Sequence, residues 1–322
     1  MFNVSYFICC PRCRGDLSQE THGYLCSSCD LHYPIREGIP RFVEPENYAS
    51  SFGYQWNIHA RTQLDSHSGL PISRDRVFSV TGWPERMEGK KILEAGSGAG
   101  RFTEILVATG ADVCSFDYST AVDANNRNNG AVENLFLFQG DIFHIPFKEE
   151  TFDKVFCLGV LQHTPDPEAA FRCLASQVRS GGELVVDAYT RSFIHWLQWK
   201  YLLRPWTKGM DRESLYRFVS RLVDLFLTPA IVLRRLLGRA GARVVPIVQY
   251  AHLGLSPELN RQWAILDTFD MYSPAHDHPQ SVATVRRWFA EAGFVNVDVR
   301  QGPNGVVGKG MRPVAAEQKD SN

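Results

Sequence analysis

Lys91-Ile92-Leu93-Glu94-Ala95-Gly96-Ser97-Gly98-Ala99-Gly100-Arg101-Phe102 is the stretch that decides how this chain folds. Ile92 and Leu93 read as a buried strand, and a helical pattern opens at Phe102 and runs to Ala108. A glycine-rich turn from strand to helix lets the backbone approach a ligand closely, because glycine has no Cβ and tolerates positive φ. The dinucleotide fingerprint spaces its glycines GxGxxG and rests a phosphate on the helix N-terminus. Here the spacing is GxGxG, with an acid, Glu94, two residues before the first glycine.

Four further landmarks follow in order. Ala111 to Asp117 reads as a second strand ending in an acid, about twenty residues past the glycines, where a carboxylate can accept ribose hydroxyls. Asn134 to Ile142 is a third strand closing on Asp141, and Phe152 to Leu158 a fourth, followed by the loop Gln162-His163-Thr164-Pro165-Asp166-Pro167. Gly181 and Gly182 then turn into a fifth strand ending at Asp187.

This series resembles the motifs of class I S-adenosylmethionine (SAM) methyltransferases of the small-molecule type, over roughly residues 90–190 and again from about 280. The resemblance implies a Rossmann-like α/β fold with a seven-stranded sheet, and SAM as cofactor. It implies that Glu94 orders the methionine end, that Gly96 and Gly98 let the cofactor approach, and that Asp117 takes the ribose. Asp141 would face the adenine amino group, Ile142 would pack on the ring, and Tyr118 and Leu158 would complete the cofactor set. Upstream, Ser51-Phe52-Gly53-Tyr54-Gln55-Trp56 stands where such enzymes lay a lid helix over SAM, so Tyr54, Gln55 and Trp56 are expected to shield it. Phe52 and Trp56 fit equally well as anchors of a linker. Gln63 joins the cofactor candidates because a buried amide needs partners.

The amino terminus carries separate chemistry. Cys10-Pro11-Arg12-Cys13 and Cys26-Ser27-Ser28-Cys29 are two CxxC pairs at zinc-ribbon spacing. Four thiolates complete a closed tetrahedral site with no position left for water, so the expected Zn²⁺ is structural. Cys9 is a spare. The stretch from Leu31 to Phe42 resembles the small zinc-ribbon proteins that activate methyltransferases, here fused in cis. Some RNA methyltransferases also carry such a ribbon, but residues 1–45 hold four arginines against five acids, and nucleic-acid binding calls for a positive footprint.

The chain has 322 residues, 44% of them hydrophobic, and a formal net charge of −1. That composition excludes a polyelectrolyte, and no long charge-free apolar run reads as a membrane span. The N-terminus has no basic region or cleavage signature of a secretory signal, so a cytoplasmic protein is expected. Charge is uneven: residues 191–243 hold eleven Lys/Arg and three Asp/Glu, which makes that segment about +8 and the rest about −9. A basic segment calls for an anionic partner, whether acceptor, RNA or membrane surface.

These signals divide the chain into a zinc ribbon (1–45), a linker with lid helices (46–89), a SAM-binding core (90–190), a helical substrate-recognition insert (191–280), the last helix and terminal strands (281–312) and a disordered tail (313–322). Within the insert, Leu215 to Leu222 and Ala230 to Leu237 read as two helical segments, the second carrying Arg234 and Arg235 near Arg239 beside an apolar stripe that could lie on a membrane. Phe269 to Pro279 reads as a Pro-bounded loop forming an active-site wall, with Tyr272 as an orienting hydroxyl and His276 and His278 as candidate bases. His163 is the first candidate for general base, because it follows the fourth strand, where the family's loop flanks the transferable methyl. The expected activity is methyl transfer to an anionic small-molecule, sugar or secondary-metabolite acceptor. The alternatives are RNA methylation and a noncatalytic SAM-binding scaffold.

Overall fold

A computed structural model describes residues 3–44, 47–191, 199–241 and 244–314. At the amino end β1 (Leu17–Glu20), β2 (Gly23–Cys26), β3 (His32–Arg36) and β4 (Ile39–Pro40) form a small antiparallel sheet in sequential order. Three helices follow: α1 (Ser50–Ile58), α2 (Asp65–Ser68) and α3 (Ile72–Thr81).

The core alternates β5 (Lys91–Ala95), α4 (Thr103–Ala108), β6 (Asp112–Asp117), α5 (Ala121–Asn129), β7 (Leu135–Gln139), β8 (Phe152–Cys157), α6 (Pro167–Gln177) and β9 (Val178–Ala188). These five strands are parallel, and Ile92, Leu93, Val113, Cys114, Val155 and Leu184 are fully buried. Near-continuous apolar strands are what a sheet covered on both faces requires. α6 starts where Asp166 accepts the N–H groups of Glu168 and Ala169, with Pro167 in the first turn.

The insert supplies α7 (Trp199–Thr207), α8 (Arg212–Gly241) and α9 (Pro257–Tyr272), which bury Leu215, Val219, Val223, Ile265 and Phe269 in a cluster of their own. Two expectations change here. The paired segments expected around residues 215–237 are one helix running through Pro229, with the backbone leaving helical geometry only at Gly238. Phe269 to Tyr272 is the last turn of α9 rather than loop. Arg243, the side chain of Arg239 and the tail beyond residue 314 lie outside the described residues.

Finally α10 (Val282–Glu291), capped by Ser281 and burying Val285, Trp288 and Phe289, leads into the hairpin β10 (Val295–Gly302) and β11 (Gly305–Met311). The sheet order is β10-β11-β9-β8-β5-β6-β7, with the final hairpin antiparallel. Strand order reverses beside β5, so a crevice opens outside its carboxyl end, the position where open α/β sheets bind ligands.

The ribbon packs on the β7 edge of this sheet. Phe42 donates its N–H to the Gln139 carbonyl, Arg41 pairs with Asp123 at 2.6 Å, and the Phe42 and Phe138 rings meet edge to face. Arg14 donates to the Ile145 carbonyl at 2.8 Å. Among the described residues no helix is long and apolar enough to cross a membrane.

Candidate active site

The glycine loop takes the shape that its composition requires. Gly96 and Gly98 have φ of 78° and 53°. A Cβ on Gly96 would overlap Val160, and one on Gly98 would press on the Trp56 ring. The Gly98 N–H donates to Asp117 at 2.9 Å, tying the acid that ends β6 to the loop after β5. The other Asp117 oxygen accepts from the Ser119 N–H and hydroxyl at 2.8 and 2.7 Å. Beneath the loop Glu94 is buried: one oxygen accepts from Thr103 and Ser115 at 2.5 and 2.7 Å, and the other has no partner. Burial lifts its pKa to about 7.

Above the loop lies a cavity of about 810 Å³, at the upper end of what small-molecule sites occupy. Its wall joins the lid (Phe52, Trp56), the linker (Gln63, Arg76), the core (Asp117, Ile142, Leu158) and α9 (Trp263, Asp267, Asp270).

His163 ends a single 3-10 turn, Leu161–His163, after β8. Its ring is buried between Phe52 and Tyr189, with centroids 5.2 and 5.4 Å away. Nδ1 lies 3.2 Å from the His276 carbonyl oxygen and so carries the proton, which it donates. Nε2 has no hydrogen-bond partner and stands 4.0 Å from Asp270. Burial lowers the imidazole pKa below its usual value, opposed by the Asp270 carboxylate. Asp270 also accepts from the Tyr189 hydroxyl at 3.0 Å. The result is a buried imidazole in the cavity wall, shifted toward its neutral form, with one nitrogen unpartnered and a carboxylate placed to stabilise its cation.

Gln63 bridges two charged groups. Its amide donates to Asp267 at 3.1 Å, and its carbonyl accepts from Arg101. Burial pushes Asp267 up to about 6 and Arg101 down to about 10. Arg101 has no ion pair among the described residues, whereas Arg76 is paired with Asp187 and Lys200 with Asp277, both at 2.7 Å.

In the ribbon, the sulfurs of Cys10, Cys13, Cys26 and Cys29 lie within 4.8 Å of one another, with Cys10–Cys29 at 3.7 Å and Cys13–Cys26 at 3.4 Å. A tetrahedron with Zn–S arms of about 2.3 Å has edges near 3.8 Å, so the donor set fits the ion. The Tyr33 hydroxyl is 3.2 Å from Cys10. Cys9 stays out of the cluster: it is buried, with its N–H on the Pro146 carbonyl.

The family described as "Methyltransferase domain" matches residues 93–186, and "Trm112p-like protein" matches residues 4–38. The chain carries a class I SAM-dependent methyltransferase domain and, in cis, a zinc-ribbon domain. Its cofactor is SAM, and the ribbon's zinc is structural. The ubiquinone biosynthesis O-methyltransferase of Aromatoleum aromaticum is 27% identical over 225 residues, covering 66% of this chain and 90% of that protein. The tRNA U34 carboxymethyltransferase of Campylobacter curvus is 29% identical over 131 residues, 36% of this chain and 44% of that one. A solved O-methyltransferase family protein from Burkholderia thailandensis superposes with a TM-score of 0.45 at 13% identity, over 76% of this chain and 57% of that chain.

Within this methyltransferase the cavity brings together Gln63, Gly96, Gly98, Asp117, Tyr118, Ile142, Leu158 and His163. Other candidates stand elsewhere. The Tyr54 ring packs against Tyr216 and Phe269 in the insert's core, because α1 turns that side away from the loop. Asp141 accepts from the Phe143 N–H, lies 3.0 Å from His144, and lines a second cleft beneath the ribbon. Tyr272 is fully buried, donates to the Pro246 carbonyl at 2.8 Å and stands outside the cavity wall. His276 and His278 lie outside the cavity wall with rings 5.8 Å apart, and His276 acts through its carbonyl on His163.

Sequence reading gave no role to Arg76, Arg101, Tyr189, Asp267 or Asp270, although Asp270 lies in the stretch read as an active-site wall. A signal existed for two of them: Trp263, Asp267 and Asp270 recur at helical spacing within an otherwise apolar stretch.

Proposed function

We propose that this methyltransferase acts on a hydroxyl of a small-molecule acceptor, with His163 as the general base. The observation that carries the reading is His163 itself: buried in the cavity wall, its Nδ1 proton held by the His276 carbonyl and its Nε2 without a hydrogen-bond partner. In this reading Gly96, Gly98 and Asp117 hold SAM, and Glu94 orders its methionine end from below. The free oxygen of Glu94 and the unpartnered Ser97 hydroxyl support that assignment. SAM supplies an electrophilic methyl on a sulfonium. The protein's own part is to align the acceptor oxygen, exclude water and take the proton on Nε2, while Asp270 stabilises the imidazolium.

The acceptor has an apolar or aromatic body, received among Phe52, Trp56, Tyr189 and Trp263. An anionic acceptor was expected from the charge of the insert. Of the described cations in 191–241, however, only Lys200 lines the cavity, and it is already paired. Relatives named as O-methyltransferases support the hydroxyl class. The tRNA-modifying relative keeps an RNA acceptor as the second reading. Free cysteines at 9, 114, 157 and 173 fit a reducing, cytoplasmic setting.

The test is the pH dependence of turnover. Activity should fall on the acid side with a midpoint below the usual histidine value, since burial lowers the pKa of His163. His163→Ala should cost roughly 10²-fold or more in kcat while leaving SAM affinity intact. Unchanged turnover in that variant would remove His163 from the chemistry.

A further inference from the structure

Part of the insert's positive charge lies on α8 beside a row of its exposed apolar side chains. Eight of the thirteen large hydrophobic residues that are exposed among the described residues lie between 199 and 244. On α7 they are Trp199, Leu202 and Trp206, spaced three and four apart and 39%, 58% and 60% exposed. On α8, Leu225, Val232 and Leu236 recur with exposed Pro229 at spacings of four, three and four, so they form one stripe along the helix. This stripe is distinct from the face that buries Leu215, Val219, Val223 and Ala230. The two helices join at its start, where the Trp206 ring meets Phe218 at 5.3 Å.

Arginines border the stripe. Arg217, Arg221 and Arg235 are exposed, form a row on one flank of it, and have no carboxylate within ion-pair distance among the described residues. Of the two acids on α8, Asp224 is taken by Arg261 at 2.7 Å, and Glu213, one turn before Arg217, is not within ion-pair distance of it. A contiguous apolar surface rimmed by charge marks an interaction site rather than ordinary protein surface.

We propose that the outer face of α7 and α8 docks on a lipid bilayer bearing anionic headgroups. The residue types decide between partners. Leucine and valine in a row supply the area that enters the acyl boundary, and the two tryptophans suit the headgroup level. The unpaired arginines on the flank reach phosphates while their stems stay on the apolar side. RNA would use the arginines but leave the leucines in water. Lys200, on the opposite side of α7, lines the cavity, so docking sets the active site one helix away from the bilayer. The inference does not depend on which acceptor the enzyme uses.

The test is flotation of the full-length chain with vesicles of phosphatidylcholine alone or mixed with phosphatidylglycerol. The mixed vesicles should carry the protein, and pure phosphatidylcholine should hold it far more weakly. Leu225→Glu with Leu236→Glu, both at exposed positions, should abolish flotation while SAM affinity stays at the wild-type value. Arg217→Gln with Arg221→Gln should lower partitioning roughly tenfold or more, since each basic side chain near an anionic surface contributes about 1 kcal/mol, or roughly fivefold. No flotation of the wild type, or undiminished flotation of the leucine pair, would overturn the proposal. So would a lipid-free dimer, seen by light scattering, that the leucine pair dissolves, because the face would then belong to a second copy of the chain.

Discussion

Glu94 shows how one buried carboxylate couples the glycine loop to proton activity. It lies under the loop with Thr103 and Ser115 on one oxygen, and burial raises its pKa from 4.5 to about 7. Between those values the folded chain keeps a proton that the unfolded chain has released. The stabilisation from this group is therefore complete below about pH 4.5 and is lost as pH rises through about 7, a change of about 3 kcal/mol. Glu94→Gln, which copies the protonated form, should lack this contribution while keeping that of every other group, Asp267 included. Urea unfolding of the cofactor-free protein at about pH 5 and about pH 8 should show the wild type losing stability relative to the variant; equal losses in both would contradict the assignment. Glu94, Gly96 and Gly98 were legible in the sequence because their constraints are local: positive φ, no room for a Cβ, and an acid at fixed spacing. Arg101 is adjacent to the same loop and was not, because its role depends on Gln63 and Asp267 arriving from distant segments.

At the level of elements, α9 does the most unexpected work. The apolar runs of the core strands and the helical spacing of Val282, Val285, Trp288 and Phe289 before Gly293 gave those elements away, since burial is written into the local pattern. The end of α9 was misread because Pro274 and the histidines beyond it look like loop, while the helix continues to Tyr272, just short of Ser273 before the proline. That continuation buries Tyr272 and turns Asp270 toward His163. The carboxylate favours the protonated imidazole, in opposition to burial. Asp270→Asn should therefore shift the acid limb of the pH–rate profile to lower pH and reduce kcat, leaving the Nδ1 contact with His276 in place. A limb that stays where it is would mean that Asp270 only holds Tyr189.

Over the whole molecule, the ribbon and the methyltransferase core share one apolar cluster: Ile8, Tyr24, Tyr33 and Phe42 pack with Phe138, Phe147 and Phe152. The ribbon thereby covers the outer strand β7, which would otherwise present an open edge. A segment with so little core of its own depends on the metal for much of its folding free energy. Chelation, or Cys26→Ser, should lower the thermal midpoint of the whole chain and increase aggregation, measured by scanning calorimetry and light scattering. A metal-free chain that melts like the wild type would show the ribbon to be dispensable. The cysteine spacing announced the zinc site, but nothing in the sequence announced which edge it would cover. Where the methyl goes separates a hydroxyl-bearing small-molecule acceptor from RNA. Full-length protein should be incubated with methyl-labelled SAM and, in parallel, with hydroxyl-bearing aromatic small molecules and with tRNA, and the products identified by mass spectrometry. Label is expected in the small-molecule fraction as a methyl ether, lost in His163→Ala; label in RNA alone, or in neither fraction, would contradict a His163-assisted hydroxyl methylation.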